Sequence, residues 1–216
     1  MVDKREQLDF ILDSGVVAIV RANSSAELID VADAIKRGGV NVIEITMTTP
    51  NALEVIRDVS RKFAGEVLAG AGSVLDAETA RAAILAGAEF IVAPTLSLET
   101  IALCNRYGKV VVPGTLTPTE ILTAWEAGAD LVKVFLASLG GPAYIKAVKA
   151  PLPQVQLVPV GGVSADNAGD FITAGAAAVA VGGSLVNSKL IAAGKFDEMT
   201  ETARKLINAV RAARGK

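Results

Sequence analysis

The 216-residue sequence contains no histidine, which removes histidine-based triads, a histidine general base and the usual zinc ligands. Any catalysis here must run on lysine, carboxylates, hydroxyls and backbone amides, and no metal or organic cofactor is expected. The single cysteine, Cys104, cannot form an internal disulfide, which suits a reducing compartment. It reads as a small apolar helix residue, because no histidine is present to activate its thiol. Aromatic residues make up only 4% of the chain, so the core has to be built from Ala, Val, Ile and Leu. Neither charge sign dominates: 21 Lys and Arg stand against 23 Asp and Glu, with no basic block, so nucleic acid is not an expected partner. Long apolar runs are also missing. The stretch "AGAAAVAVGG" is too short and too rich in glycine to span a bilayer, and the opening "MVDKREQLDF" lacks the apolar centre of a signal peptide. A cytoplasmic address without a membrane partner is the expectation.

What the sequence does contain is alternation. Eight short runs rich in β-branched residues recur: "VVAIV" (16–20), "VIEIT" (42–46), "VLAGAG" (67–72), "FIVAP" (90–94), "VVVPG" (110–114), "LVKVF" (131–135), "QLVPVGGV" (156–163) and "AVAVGG" (178–183). Each is continuously apolar, the pattern of a parallel strand covered on both faces. Between them lie helix-like segments such as "SSAELIDVADAIKRGG", "DAETARAAILAG", "TPTEILTAWEAG" and "SADNAGDFITAG", opened by capping residues and many closed by glycine. An amphipathic segment at 3–13 precedes the first run, and "FDEMTETARKLINAVRAAR" follows the last. Eight strand–helix units predict an α/β protein, a (β/α)8 barrel with an extra N-terminal helix, as one domain over 1–216. An open doubly wound sheet has the same alternation. It is disfavoured because "VVAIVRANS" stands where a glycine-rich dinucleotide fingerprint would follow the first strand.

Two charged residues interrupt apolar strands. Lys133 sits in the sixth run and Glu44 in the second, and inward-pointing positions would let them face one pocket. A buried ion pair contributes little to stability, because desolvation offsets most of the Coulomb gain, so the placement leans towards function. A desolvated, neutral lysine amine attacks a ketone to form an iminium, which then accepts electrons. Glu44 would move protons for it, directly or through a water.

In such a barrel the active site lies at the carboxyl ends of the strands. The glycine pairs of "PVGGVSADN" and "VGGSLV" follow the seventh and eighth runs, where backbone amides and a helix N-terminus commonly hold phosphate. Gly161, Gly162, Gly183 and Ser184 are therefore candidates, against the alternative of plain turn glycines. Ser73, just after the third run, offers a hydroxyl for a carboxylate or its water, or simply forms a turn. Arg21, at the end of the first run, either binds an anion or is only solvated. Thr117 and Glu120 read as a capping box, and Trp125 and Tyr144 as helix packing residues.

Taken in order, "VVAIVRANS", "GGVNVIEITMTTP", "GAGSVLDAETA", "FIVAP", "PGTLTPTE", "KVF", "GPAYIKAVKAPLP" and "VPVGGVS" resemble the 2-keto-3-deoxy-6-phosphogluconate aldolase family over about residues 5 to 210. That family includes the 4-hydroxy-2-oxoglutarate and 2-keto-3-deoxy-6-phosphogalactonate aldolases. The resemblance implies a metal-free class I pyruvate aldolase, usually a homotrimer, acting on pyruvate and a phosphorylated aldehyde or keto acid. It matches Lys133 to the Schiff-base lysine, Glu44 to the acid/base glutamate, Ser73 to the hydroxyl of "GAGTV" and the glycine pairs to the phosphate loops. Departures stand at Thr48, near a position that often holds arginine, and at Leu136, Ser73 and Val160. They bear on substrate preference and turnover more than on Schiff-base formation, and they move carboxylate binding towards Arg21, Ser73 and backbone amides, with Thr48 kept as a substrate-binding candidate. Alternative readings are another phosphate-binding barrel enzyme, or a catalytically impaired or engineered family member serving as an oligomer scaffold.

Overall fold

The apolar runs resolve into two faces with a period of two, as expected for strands whose successive side chains point to opposite sides. The computed structural model describes residues 3–21 and 25–215. Among the described residues there are nine parallel strand segments: β1 (Val16–Val20), β2 (Val42–Thr46), β3 (Leu68–Gly72), β4 (Phe90–Val92), β5 (Val110–Val112), β6 (Gly114–Thr115), β7 (Val132–Phe135), β8 (Leu157–Val160) and β9 (Val179–Val181). Their order is β5-β4-β3-β2-β1-β9-β8-β7-β6.

The fifth run is thus split, a departure from the uninterrupted strand expected over 110–114. Pro113 has no N–H to donate and breaks the ladder between β5 and β6. Closure survives the break, because Leu131 and Lys133 donate their amides to the carbonyls of Val111 and Pro113 at 3.4 and 3.0 Å. Gly114 follows for a steric reason: a Cβ there would lie 2.2 Å from the Pro94 carbonyl oxygen. With β5 and β6 taken together, the eight-stranded (β/α)8 barrel expected from the sequence is what forms.

Val17, Ile19, Val42, Leu68, Phe90, Val92, Val110, Val112, Leu131, Val158, Val160 and Ala180 fill the lumen, while Val16, Ala18, Ile43, Ala69, Ile91, Val111, Val134, Val179 and their neighbours face the helices. At roughly 1.5–3 kcal/mol for each large aliphatic side chain removed from water, both faces contribute to stability.

The helices are α1 (Lys4–Ser14), α2 (Ser25–Arg37), α3 (Ala52–Lys62), α4 (Ala77–Ala86), α5 (Leu98–Arg106), α6 (Pro118–Glu126), α7 (Gly141–Lys149), α8 (Ala168–Thr173), α9 (Ser188–Ala192) and α10 (Phe196–Ala213). Several begin where the sequence placed caps. Asp76 accepts the amide of Thr79, and Thr117 with Glu120 closes a capping box on α6. The Ser24 part of the cap expected for α2 lies outside the described residues. α1 is fastened by a capping box between Asp3 and Glu6 and stopped by Gly15 in the left-handed region. It plugs the amino end of the barrel: Ile11 joins the lumen cluster, with Leu8, Phe10 and Leu12 packed against it. Beside it, buried Gln7 accepts the Val110 amide at 3.3 Å and donates to Glu89 at 3.2 Å, and the Lys109 ammonium meets the same carboxylate at 2.7 Å. No helix among the described residues is long and apolar enough to cross a membrane.

Candidate active site

Glu44 and Lys133 fall on lumen-facing positions of their strands, alternating with Ile43, Ile45, Val132 and Val134 on the outer face. Glu44 registers with Ile19 and Gly70, and Lys133 with Gly114 and Val158. They are 2% and 5% exposed, so both ionisable groups are inside the barrel. Together they line a void of about 10 Å³ among Val17, Phe90, Val112, Val158 and other apolar side chains.

Burial pushes the Lys133 ammonium below the usual lysine range. The Glu44 carboxylate pulls the other way, and Arg21 adds to the depression. Burial also raises the Glu44 carboxyl, against the counter-pull of Lys133 and Arg21. Desolvation leads in both cases, as expected where two charges are enclosed by hydrocarbon. Among the described residues the two form no ion pair with each other, and Glu44 Oε2 is buried without a hydrogen-bond partner. The Lys133 ammonium lies 4.8 Å from the centroid of the Phe135 ring. Phe135 shares the face of Lys133 two residues on, a relation the strand period would have revealed.

Above this layer opens a cavity of about 360 Å³, lined by Ile19, Arg21, Phe135, Val160–Ser164, Ala180 and Gly182–Ser184. Val160 and Ala180 belong to both spaces, so the mouth sits directly over the amine–carboxyl layer. Arg21, Gly161, Gly162, Gly183 and Ser184 are thereby brought together. Gly161 and Gly162 have φ of 93° and 79°, and a Cβ on them would come within 2.9 Å of Leu136 Cδ2 and 2.7 Å of Ser138 Cβ. Side chains are excluded there by backbone and by space alike. For the amides of Gly162, Gly183 and Ser184 no backbone acceptor is found among the described residues, and all three residues line the cavity. Ser184 spends its hydroxyl proton on the Val163 carbonyl at 2.7 Å, tying the two glycine loops together.

One detail concerns the spacing of the loop after β8. β8 ends at Val160, and α8 begins only at Ala168, behind a turn in which Asn167 accepts the Ser164 amide at 2.9 Å. The residues of this loop that line the cavity are thus separated from the first turn of α8.

Ser73 and Thr48 lie outside that cavity. Ser73 is half-buried with φ of 57°, in the left-handed region that a non-glycine residue rarely adopts. Thr48 is exposed and its hydroxyl lies 3.0 Å from that of Thr46, which in turn lies 3.4 Å from that of Thr49. Sequence reasoning missed this hydroxyl cluster, although Thr46 follows Glu44 on the same face of β2. Cys104 is fully buried, with its thiol pushed up to about 12 by desolvation, which fits a packing role. Among the described residues no group of three or more acidic or cysteine side chains is arranged to hold a metal ion.

A parallel barrel with a desolvated amine and carboxyl beneath a cavity lined by glycine loops has the build of a barrel enzyme. The family model described as KDPG and KHG aldolase matches residues 9–202. A 2-dehydro-3-deoxy-6-phosphogalactonate aldolase of Escherichia coli K12 is 36% identical over 200 residues, covering 92% of this chain and 95% of that one. A 2-dehydro-3-deoxy-phosphogluconate aldolase of Treponema pallidum (strain Nichols) is 35% identical over 197 residues, covering 90% and 93%. A solved structure described as native KDPGal superposes with a TM-score of 0.86 at 33% identity, over 93% of this chain and 96% of its own. The chain belongs to the KDPG and KHG aldolase family. It is accordingly a carbon–carbon lyase of the class I pyruvate aldolase type.

Proposed function

We propose that the chain, working as one domain over residues 1–216, reversibly cleaves 2-keto-3-deoxy-6-phosphogluconate-type substrates to pyruvate and glyceraldehyde 3-phosphate. 4-Hydroxy-2-oxoglutarate is a second substrate in this reading. The observation that carries it is the enclosed Lys133 amine, desolvated beneath a cavity lined by the two glycine loops. Neutral Lys133 attacks the C2 ketone, and the carbinolamine loses water to give an iminium. Glu44, its carboxyl raised by burial, donates the proton for that dehydration. The C4 hydroxyl then gives up its proton, the C3–C4 bond breaks, and its electron pair flows into the iminium. The aldehyde leaves, the enamine takes a proton at C3, and water releases pyruvate from Lys133.

Gly161, Gly162, Gly183 and Ser184 would hold the phosphate through their amides, and Arg21 would add charge at the mouth. In this reading Ser73 and Thr48 would serve the carboxylate end, where this chain lacks the arginine found in other branches. Exposed leucines at the carboxyl face, among them Leu75, Leu139 and Leu98 at the start of α5, at 63%, 71% and 53% exposed, support a homotrimer that covers them. A cytoplasmic location completes the reading.

Borohydride reduction in the presence of pyruvate should fix an adduct on Lys133, located by peptide mass spectrometry and lost in Lys133→Ala. Folded protein without an adduct would refute the assignment. Retro-aldol rates on the gluconate-derived, galactonate-derived and unphosphorylated substrates, coupled to pyruvate detection, decide among them.

A further inference from the structure

β3 reads Leu-Ala-Gly-Ala-Gly, and its glycines Gly70 and Gly72 occupy lumen positions alternating with Ala69 and Ala71. A Cβ on Gly70 would lie 2.5 Å from the Phe90 ring. On Gly72 it would lie 1.9 Å from Glu44 Oε1, 2.4 Å from its Cδ and 2.5 Å from its Cγ. Gly72 does not adopt a positive φ, so what it supplies is space rather than backbone freedom. The Glu44 carboxylate lies across the bare Cα of the next strand. No hydrogen-bond donor holds Oε2 there, which leaves the missing side chain at Gly72 as the feature that accommodates the group. Lys133 approaches from the opposite wall. With β5 and β6 taken as one strand, β7 is four steps from β2 in either direction round the barrel.

We propose that Gly72 is a positioning residue for the amine–carboxyl pair, seating the Glu44 carboxylate against β3 and out of ion-pair contact with Lys133. This rests on the Schiff-base reading given above. A direct ion pair would hold Lys133 as an ammonium that cannot attack a ketone, whereas a seated carboxylate lets desolvation prevail. A methyl group at Gly72 would displace the end of a flexible side chain, and the void that Glu44 and Lys133 both line is the adjoining space. Of the other charged groups, Arg21 at the end of β1 acts on Lys133 from the mouth. β6, β8 and β9 carry no titratable residue, and Glu120, Glu126, Lys146 and Lys149 belong to the outer helices α6 and α7. Displacing Glu44 is therefore the change that Lys133 would register.

The test is the pH midpoint at which acetic anhydride acylates Lys133, followed by peptide mass spectrometry, in the parent chain, Gly72→Ala, Glu44→Gln and the double variant. Gly72→Ala should raise the midpoint by about one pH unit or more, and the rise should vanish in the Glu44→Gln background. An unmoved midpoint, or an equal rise in both backgrounds, overturns the proposal. Pyruvate trapping on the parent chain separates the two levels. If trapping succeeds while the midpoint stays put, only the role of Gly72 falls; if trapping fails, the Schiff-base reading falls and this one with it. Should Gly72→Ala not fold, Glu44→Gln alone decides. A seated carboxylate predicts a fall of less than about one unit, and a larger fall, the sign of a contact pair, overturns the proposal.

Discussion

Replacing both lumen charges, Lys133→Met with Glu44→Gln, should yield a more stable and inactive protein. Each parent group is enclosed, at 5% and 2% exposure, and desolvation is the leading influence on both. Exchanging buried charges for uncharged groups of similar volume is often stabilising by about 1–4 kcal/mol. The cation–π contact to Phe135 lost in the exchange is worth roughly 0.5–2 kcal/mol at a partly desolvated site, so the expected net gain centres on about 1 kcal/mol. At roughly 2–4 °C per kcal/mol for a chain of this size, calorimetry at pH 7 should show a clear upward shift. The pH dependence carries its own signature. Because the Glu44 carboxyl is raised in the fold, the unfolded chain ionises first, and the parent loses stability as pH climbs above the ordinary carboxyl range. Because Lys133 is depressed, the unfolded chain holds its proton longer, and the parent regains stability as pH rises from the depressed value towards 10.5. The gap between variant and parent should be widest between those windows and narrower on either side, where only the Lys133 cost remains at low pH and only the Glu44 cost at high pH. A double variant that melts at or below the parent at pH 7 would refute the desolvation argument, and so would a gap that does not vary with pH.

Lys109→Met leaves Glu89 with only Gln7 at the plugged end of the barrel. It should cost about 2 kcal/mol in urea unfolding, with retro-aldol kcat unchanged at 25 °C because the site is at the other end. Gly162→Ala places a methyl against Ser138 at a φ of 79°. It should raise KM for the phosphorylated substrate by roughly tenfold or more, through a displaced amide donor, while leaving 4-hydroxy-2-oxoglutarate within about threefold. Gly114→Ala drives a Cβ into the Pro94 backbone at the break between β5 and β6, and thermal melts should report a loss of about 2–3 kcal/mol.

Much of this arrangement was legible in the sequence. Continuous apolar runs with one charge each marked Lys133 and Glu44, because charge inside a doubly covered strand has few structural uses. The two glycine pairs announced loops at neighbouring strand ends, and the structure gathers them around one cavity. Other features were not legible, for stated physical reasons. The vacancy at Gly72 matters only because a side chain from β2 leans across it, and a strand's own sequence does not show what its neighbour requires. The Gln7–Glu89–Lys109 network joins residues distant along the chain, so no local spacing reveals it. The split at Pro113 was within reach, since proline cannot donate to a ladder, but the run of valines before it masked the signal. Ser73 and Thr48 were singled out as residue types, and their side chains lie away from the cavity that holds the glycine pairs.

The α1 plug also governs traffic. With Ile11 filling the amino end, the well above it is blind, and the rim of glycine loops lies between solvent and the amine layer. In the proposed reaction the fragment bound to Lys133 is therefore the deeper one, and the phosphorylated aldehyde stands between it and the exit. Such a vessel works as a stack: the aldehyde must clear the mouth before pyruvate can follow, and in the synthetic direction pyruvate must go in first. Product inhibition studies should show that order, with the sequence of release imposed by the closed floor.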